Sequence, residues 1–199
     1  MSDEAGATAG GDDGVDDALP RPSTPPHRLV RGTVAIDDLD AFLSRLADIS
    51  AETGAVVQAF DADLVVSDAH LGAATRLAAR AIARGEAVAR DPGVEILLYA
   101  AGRRQIDRAL TLGVSEGEQR AVVLVADFGG VDGADRPAAD LDAAVASVEE
   151  LTTPAADATG FDTGKVREFY GVADRELAAT AGGLADIVRE RVALLDVEK

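Results

Sequence analysis

From Leu29 to Leu195 the apolar positions follow two rhythms, short unbroken runs and a three-to-four-residue spacing, and each predicts a different element. Leu29 to Val34 predicts a strand. Behind Asp37, a good N-cap residue, Leu39, Phe42, Leu43, Leu46 and Ile49 recur at helical spacing and predict an amphipathic helix ended by Gly54. Ala55 to Ala59 predicts a second strand, and Leu64 to Val66 a short buried piece. Ser67 and Asp68 then offer caps to a long helix reaching about Gly85, with Leu71, Ala74, Leu77, Ala78, Ala81 and Ile82 on its apolar side. After Asp91, Pro92 and Gly93, the run Glu95 to Ala100 predicts a third strand covered on both faces, then a glycine turn and a helix closed by Gly113. Ala121 to Ala126 predicts a fourth strand of the same kind, and Gly129 to Gly133 leads into a helix around Leu141 to Val148. Lys165 to Tyr170 predicts a helical turn. Asp174 caps a final helix whose stripe is Leu177, Leu184, Ile187, Val188, Val192 and Leu195.

Strands alternating with helices imply one compact α/β domain over residues 27–199, with a small mixed sheet of about four strands flanked by helices. Residues 1–26 are rich in Gly, Ala, Asp and Pro and have no apolar period, which predicts a disordered acidic tail. A chain of 199 residues, 47% of them hydrophobic, is long enough for one ample core. No run is apolar enough to cross a bilayer and no signal-peptide pattern opens the chain, so the expected location is the cytoplasm and no membrane partner is expected. The absence of cysteine excludes disulfides, thiol catalysis and cysteine metal sites.

Charge changes the picture. There are 36 acidic against 19 basic residues, a net charge of -17, and an excess of this size suggests a cell with high internal salt, as in halophilic archaea. Residues 70–110 break the trend, holding seven arginines against four carboxylates, a net +3. Within that window Arg76, Arg80 and Arg84 repeat every four residues along the predicted long helix, a spacing at which like charges repel. Arg103 and Arg104 follow Gly102 where a helix is predicted to open, and helix N-termini disfavour cations. With Arg108 these six arginines are the candidate site, because a basic island on an acidic molecule is the footprint of a phosphate ligand. Asp107 offers Arg103 the plainer alternative of a helical ion pair.

Catalytic chemistry is hard to build from this chain. It has two histidines, His27 beside the tail and His70 at a predicted helix start, and His70 has no second histidine or cysteine nearby to share a metal. Neither a dinucleotide fingerprint nor a P-loop is present. No catalytic residue, cofactor or metal is therefore expected.

Two segments carry a resemblance: Phe60-Asp-Ala-Asp-Leu-Val-Val-Ser-Asp-Ala-His-Leu and Glu95-Ile-Leu-Leu-Tyr-Ala-Ala-Gly-Arg-Arg-Gln-Ile. With the closing Glu190-Arg-Val-Ala-Leu-Leu-Asp-Val, they resemble the small Cgi-type subunit of the KEOPS complex, the family of the p53-related kinase binding protein TPRKB, over about residues 28–196. The resemblance implies a non-enzymatic subunit of a complex that makes threonylcarbamoyladenosine beside the tRNA anticodon. It implies direct binding to the kinase-like ATPase subunit, contact with the threonylcarbamoyl-transferase subunit through the complex, and a grip on the single-stranded 3′ CCA end of tRNA. The competing expectations are a protein-only docking subunit that uses an exposed part of the last helix, and a small nucleotide-binding enzyme resting on the Gly129 turn.

Overall fold

The computed structural model describes residues 24–155 and 160–196. The tail expected over 1–26 lies outside them up to residue 23, and its last residues are anchored: Pro25 is buried and the Pro26 carbonyl accepts from Asp127 N at 2.9 Å.

The α/β class holds, on a sheet of three antiparallel strands: β1 (His27–Ile36), β2 (Val56–Asp61) and β3 (Gly117–Ala126), in the order β1-β3-β2. His27 and Val56 both stand opposite Ala126, so one end of the sheet is flush. Because β3 is central, its run Ala121 to Ala126 is buried on both faces. Val122, Leu124 and Ala126 point into one core layer, Ala121, Val123 and Val125 into the other. Two helices cover the second face, α1 (Leu39–Thr53) and α5 (Leu141–Glu149). The first is packed by α2 (Asp68–Ala83), α3 (Pro92–Ala100), α6 (Thr163–Tyr170) and α8 (Leu184–Leu195). Two short helices, α4 (Ile106–Ala109) and α7 (Asp174–Ala179), and two 3-10 turns, Ala62–Leu64 and Leu110–Leu112, make up the remaining helical structure among the described residues.

The largest departure from the sequence reading is α3, which was expected to be a central strand. A short apolar run does not distinguish a strand buried on two faces from a helix buried all round. Asp91 and Pro92 decide it. The Asp91 carboxylate accepts from Val94 N at 3.1 Å, and Pro92 begins the helix, where its missing N–H costs nothing and its φ is already helical. Packed by β2, α2 and α8, the helix needs no polar face. Its one acid, Glu95, is only 2% exposed and accepts from Val88 N at 3.0 Å and Ala89 N at 2.8 Å, which pins the loop between α2 and α3.

Burying α3 whole also buries its C-terminal carbonyls. Gly102, at φ 60°, supplies the left-handed residue of a Schellman turn, in which Arg103 N donates to Leu98 O at 3.1 Å and Gly102 N to Tyr99 O at 2.9 Å. Ala101 N satisfies Leu97 O. Ala100 O accepts two side-chain bonds, from His70 Nε2 at 2.8 Å and from the Tyr170 hydroxyl at 2.9 Å. A carbonyl can only accept, so His70 carries its proton on Nε2, and burial lowers its pKa to about 4 despite that bond. Burial likewise raises the Tyr170 phenol above its ordinary value.

Other boundaries moved for local reasons. The cap of α1 is Asp38, one residue later than expected, and Gly54 ends the helix in the left-handed conformation. The expected final helix is two helices, because Gly182 and Gly183 sit between α7 and α8 and are poor helix formers. The helix expected after Gly102 shrinks to the single turn of α4.

Two outcomes follow. Glu95→Ala removes a buried carboxylate acceptor from the two loop amides of Val88 and Ala89 and should lower unfolding free energy by about 1 to 3 kcal/mol in urea titrations, with Glu95→Gln costing less. The unfolded state protonates His70 near pH 6.5 and the folded state only near 4, so stability is full above the upper value and falls with pH between the two. Against His70→Gln as baseline, that loss should total about 3 kcal/mol in urea titrations at stepped pH.

Candidate functional site

The long helix α2 begins at Ser67, whose hydroxyl accepts from His70 N, and it packs against α3 and α8. Arg76, Arg80 and Arg84 climb its outer side one turn apart. The middle one is spoken for. Arg80 forms an ion pair with Asp196, whose side chain is only 8% exposed and also accepts from the Tyr99 hydroxyl at 3.3 Å. Burial, and then repulsion from Arg84 and Arg76, hold the Arg80 guanidinium below its ordinary basicity. The expected side-by-side meeting of the basic segments is therefore real at one point: Arg80 and Arg104 both reach the last turn of α8, through Asp196 and through Leu195 O at 2.9 Å.

Arg103 and Arg104 do not open a helix. They follow the C-terminus of α3, where the dipole favours cations, so the expected conflict with local preference disappears. Arg103 does not turn to Asp107. It donates to Phe169 O in the last turn of α6, and its guanidinium carbon lies 5.2 Å from the Phe169 ring centroid. Three of the six candidate arginines thus complete helix C-termini: Arg103 that of α6, Arg80 and Arg104 that of α8.

The other three are not engaged in this way. Among the described residues Arg76, Arg84 and Arg108 make no ion pair or hydrogen bond, and Arg84 and Arg108 are exposed. Also exposed are apolar side chains that the sequence did not single out, Val88, Ile106, Leu110 and Leu194. Ile106 and Leu110 sit four residues apart, a helical-face spacing that signals a shared side. Val88 shares a small apolar recess with Tyr99, Arg103, Arg104 and Leu195. The remainder of the α8 stripe, Leu184, Ile187, Val188, Val192 and Leu195, is buried in the protein's own core, which leaves Leu194 as the exposed leucine of that helix.

Elsewhere the chemistry is matched or blocked. Among the described residues no group of three or more histidine and carboxylate side chains is placed to hold a metal, and no described helix is long and apolar enough to cross a membrane. A polar cleft of about 420 Å³ contains Asp63, Arg120 and Lys165. Lys165 Nζ donates to Asp63 at 2.7 Å, and this bond, reinforced by Arg120, holds the carboxyl below the usual range. Gly129 is small because the Ala138 backbone crosses it, with a Cβ there falling 2.6 Å from Ala138 N. The helix that follows, α5, is already capped by the Asp140 carboxylate and carries Asp142 in its first turn, so a phosphate would meet negative charge. That geometry removes the support for a nucleotide site at the Gly129 turn.

The model of the family described as kinase binding protein CGI-121 matches residues 37–196, four-fifths of the chain. No curated protein aligns with the sequence at a significant level.

The division of the arginines is measurable. Arg80→Met strands the nearly buried Asp196 carboxylate and should cost about 2 to 4 kcal/mol in urea denaturation, whereas Arg84→Met should stay within about 0.5 kcal/mol. Adding Asp196→Leu to the first variant should restore much of the loss.

Proposed function

Because the chain belongs to the CGI-121 kinase binding protein family, we propose that it is a non-catalytic subunit of the KEOPS complex in tRNA threonylcarbamoyladenosine modification. In this reading it binds the kinase-like ATPase subunit directly and meets the threonylcarbamoyl-transferase subunit through the complex. It also holds the single-stranded 3′ CCA end of tRNA. The observation that supports the RNA contact is the set of unmatched arginines, Arg76, Arg84 and Arg108, on a molecule with a large acid excess.

The mechanism is one of grip. Arginine forks take phosphate oxygens in pairs of hydrogen bonds, and bases of a single strand stack on flat or apolar side chains, worth about 1 to 3 kcal/mol per base on an aromatic platform. Val88, Ile106 and Leu110 offer apolar footing beside the arginines, though without aromatic rings. In molar salt the screening length falls to about 3 Å, so only such close contacts keep their value. Arg80, Arg103 and Arg104 enter as positioning residues, since their guanidinium groups are engaged with Asp196, Phe169 and Leu195.

A protein-only docking role without RNA is the second reading. It is favoured by the exposed apolar residues Val88, Ile106, Leu110 and Leu194, which suit a protein partner as well as a base.

Arg84→Glu with Arg108→Glu should weaken binding of intact tRNA at least tenfold at fixed potassium chloride, with the melting temperature unchanged. The slope of log affinity against log salt should flatten by about 0.7 per lost contact. Trimming the CCA end should cost the unmodified protein as much. Unchanged affinity in the double variant, with the kinase complex intact, would leave the docking role alone.

A further inference from the structure

We propose that the acidic N-terminal segment, residues 1–23, docks on the arginine stripe of α2 and competes there with other polyanions. This deepens the reading above by regulating the same arginines, and it rests on that reading only where the competing polyanion is tRNA.

The described chain starts at Thr24, is fixed at Pro25 and Pro26, and enters β1 at His27. The His27 ring lies over Gly72 of α2, so close that a Cβ at Gly72 would stand 3.5 Å from His27 Nε2. Gly72, Arg76, Arg80 and Arg84 succeed one another at four-residue steps, the spacing of one helix face. The segment therefore joins the folded body at the foot of the stripe. From Gly72 to Arg84 the axis runs about 18 Å, and 23 residues reach about 26 Å even as a random coil.

Residues 1–23 hold six carboxylates, Asp3, Glu4, Asp12, Asp13, Asp16 and Asp17, against the single Arg21. The chain has 36 carboxylates in all, yet among the described residues none is paired with Arg76 or Arg84. Arg76, Arg80 and Arg84 are like charges one turn apart, so negative charge added on this face is favoured. Attachment beside the stripe gives the segment an effective concentration of order millimolar, enough for individually weak exposed contacts to matter at low salt. The same contacts are screened away in molar salt.

The test uses the full chain. Because it lacks cysteine, Gly11→Cys can carry a single nitroxide label. In dilute buffer the label should broaden the amide resonances of residues 76–84 selectively and leave α5, on the opposite face of the sheet, untouched. Replacing Asp12, Asp13, Asp16 and Asp17 by Asn, or adding 1 M potassium chloride, should remove the broadening. The Asn variant should also bind inorganic polyphosphate about three- to tenfold more tightly in dilute buffer, with no difference in 1 M salt. Broadening that is absent or evenly spread, or equal polyphosphate affinities, would overturn the proposal. Polyphosphate stands apart from tRNA, so failure of tRNA to bind would strike the proposed function and leave the docking result standing.

Discussion

A helix buried on every side takes its last carbonyls into the interior, and the architecture of this protein is arranged around satisfying those of α3. The Schellman turn at Gly102 answers Leu98 and Tyr99, Ala101 answers Leu97, and Ala100 is answered by two side chains from different helices, His70 on α2 and Tyr170 on α6. That one oxygen fixes the mutual placement of three helices. It also explains why a histidine is buried and held neutral, because a charged ring would lose hydration with no carboxylate near to replace it.

The same demand recurs at other helix ends and organises the charges. Carboxylates sit at N-termini, with Asp38, Asp91, Asp140 and Asp162 capping α1, α3, α5 and α6. Arginines sit at C-termini: Arg103 at α6, Arg80 and Arg104 at α8, and Arg136 at the end of α1, where it donates to Gly54 O and Ala55 O. Each placement suits the helix dipole. A net-acidic composition can therefore hold a basic island whose members differ in kind, some completing the fold and others making no ion pair or hydrogen bond among the described residues.

What the sequence made legible was whatever a period could encode. The outer strands, the double burial of Ala121 to Ala126, and helices α1, α2 and α5 all follow from apolar spacing and caps. Glu95 to Ala100 did not yield to that logic, since an all-apolar run has no period to read; the capping pair Asp91–Pro92 was the available signal. The surroundings of the six arginines were legible only in part. Arginine spacing marked out a basic island, but whether a guanidinium meets a carbonyl such as Leu195 O, 91 residues away from Arg104, depends on tertiary contacts that no local pattern records. The three segments that resemble the family converge on this junction, at His70, at Ala100 to Arg104 and at Leu195–Asp196.

The central claim is that Arg80, Arg103 and Arg104 are built into helix ends while Arg76, Arg84 and Arg108 are free for a ligand. Arginine side-chain nuclear magnetic resonance of the Nε–Hε groups, assigned residue by residue and followed as an RNA ending in CCA is added, tests it most directly. The account predicts three resonances with slow solvent exchange and restricted rotation that the RNA leaves in place, and three averaged, fast-exchanging ones that shift on binding. Six alike resonances, or shifts confined to the first set, would contradict it.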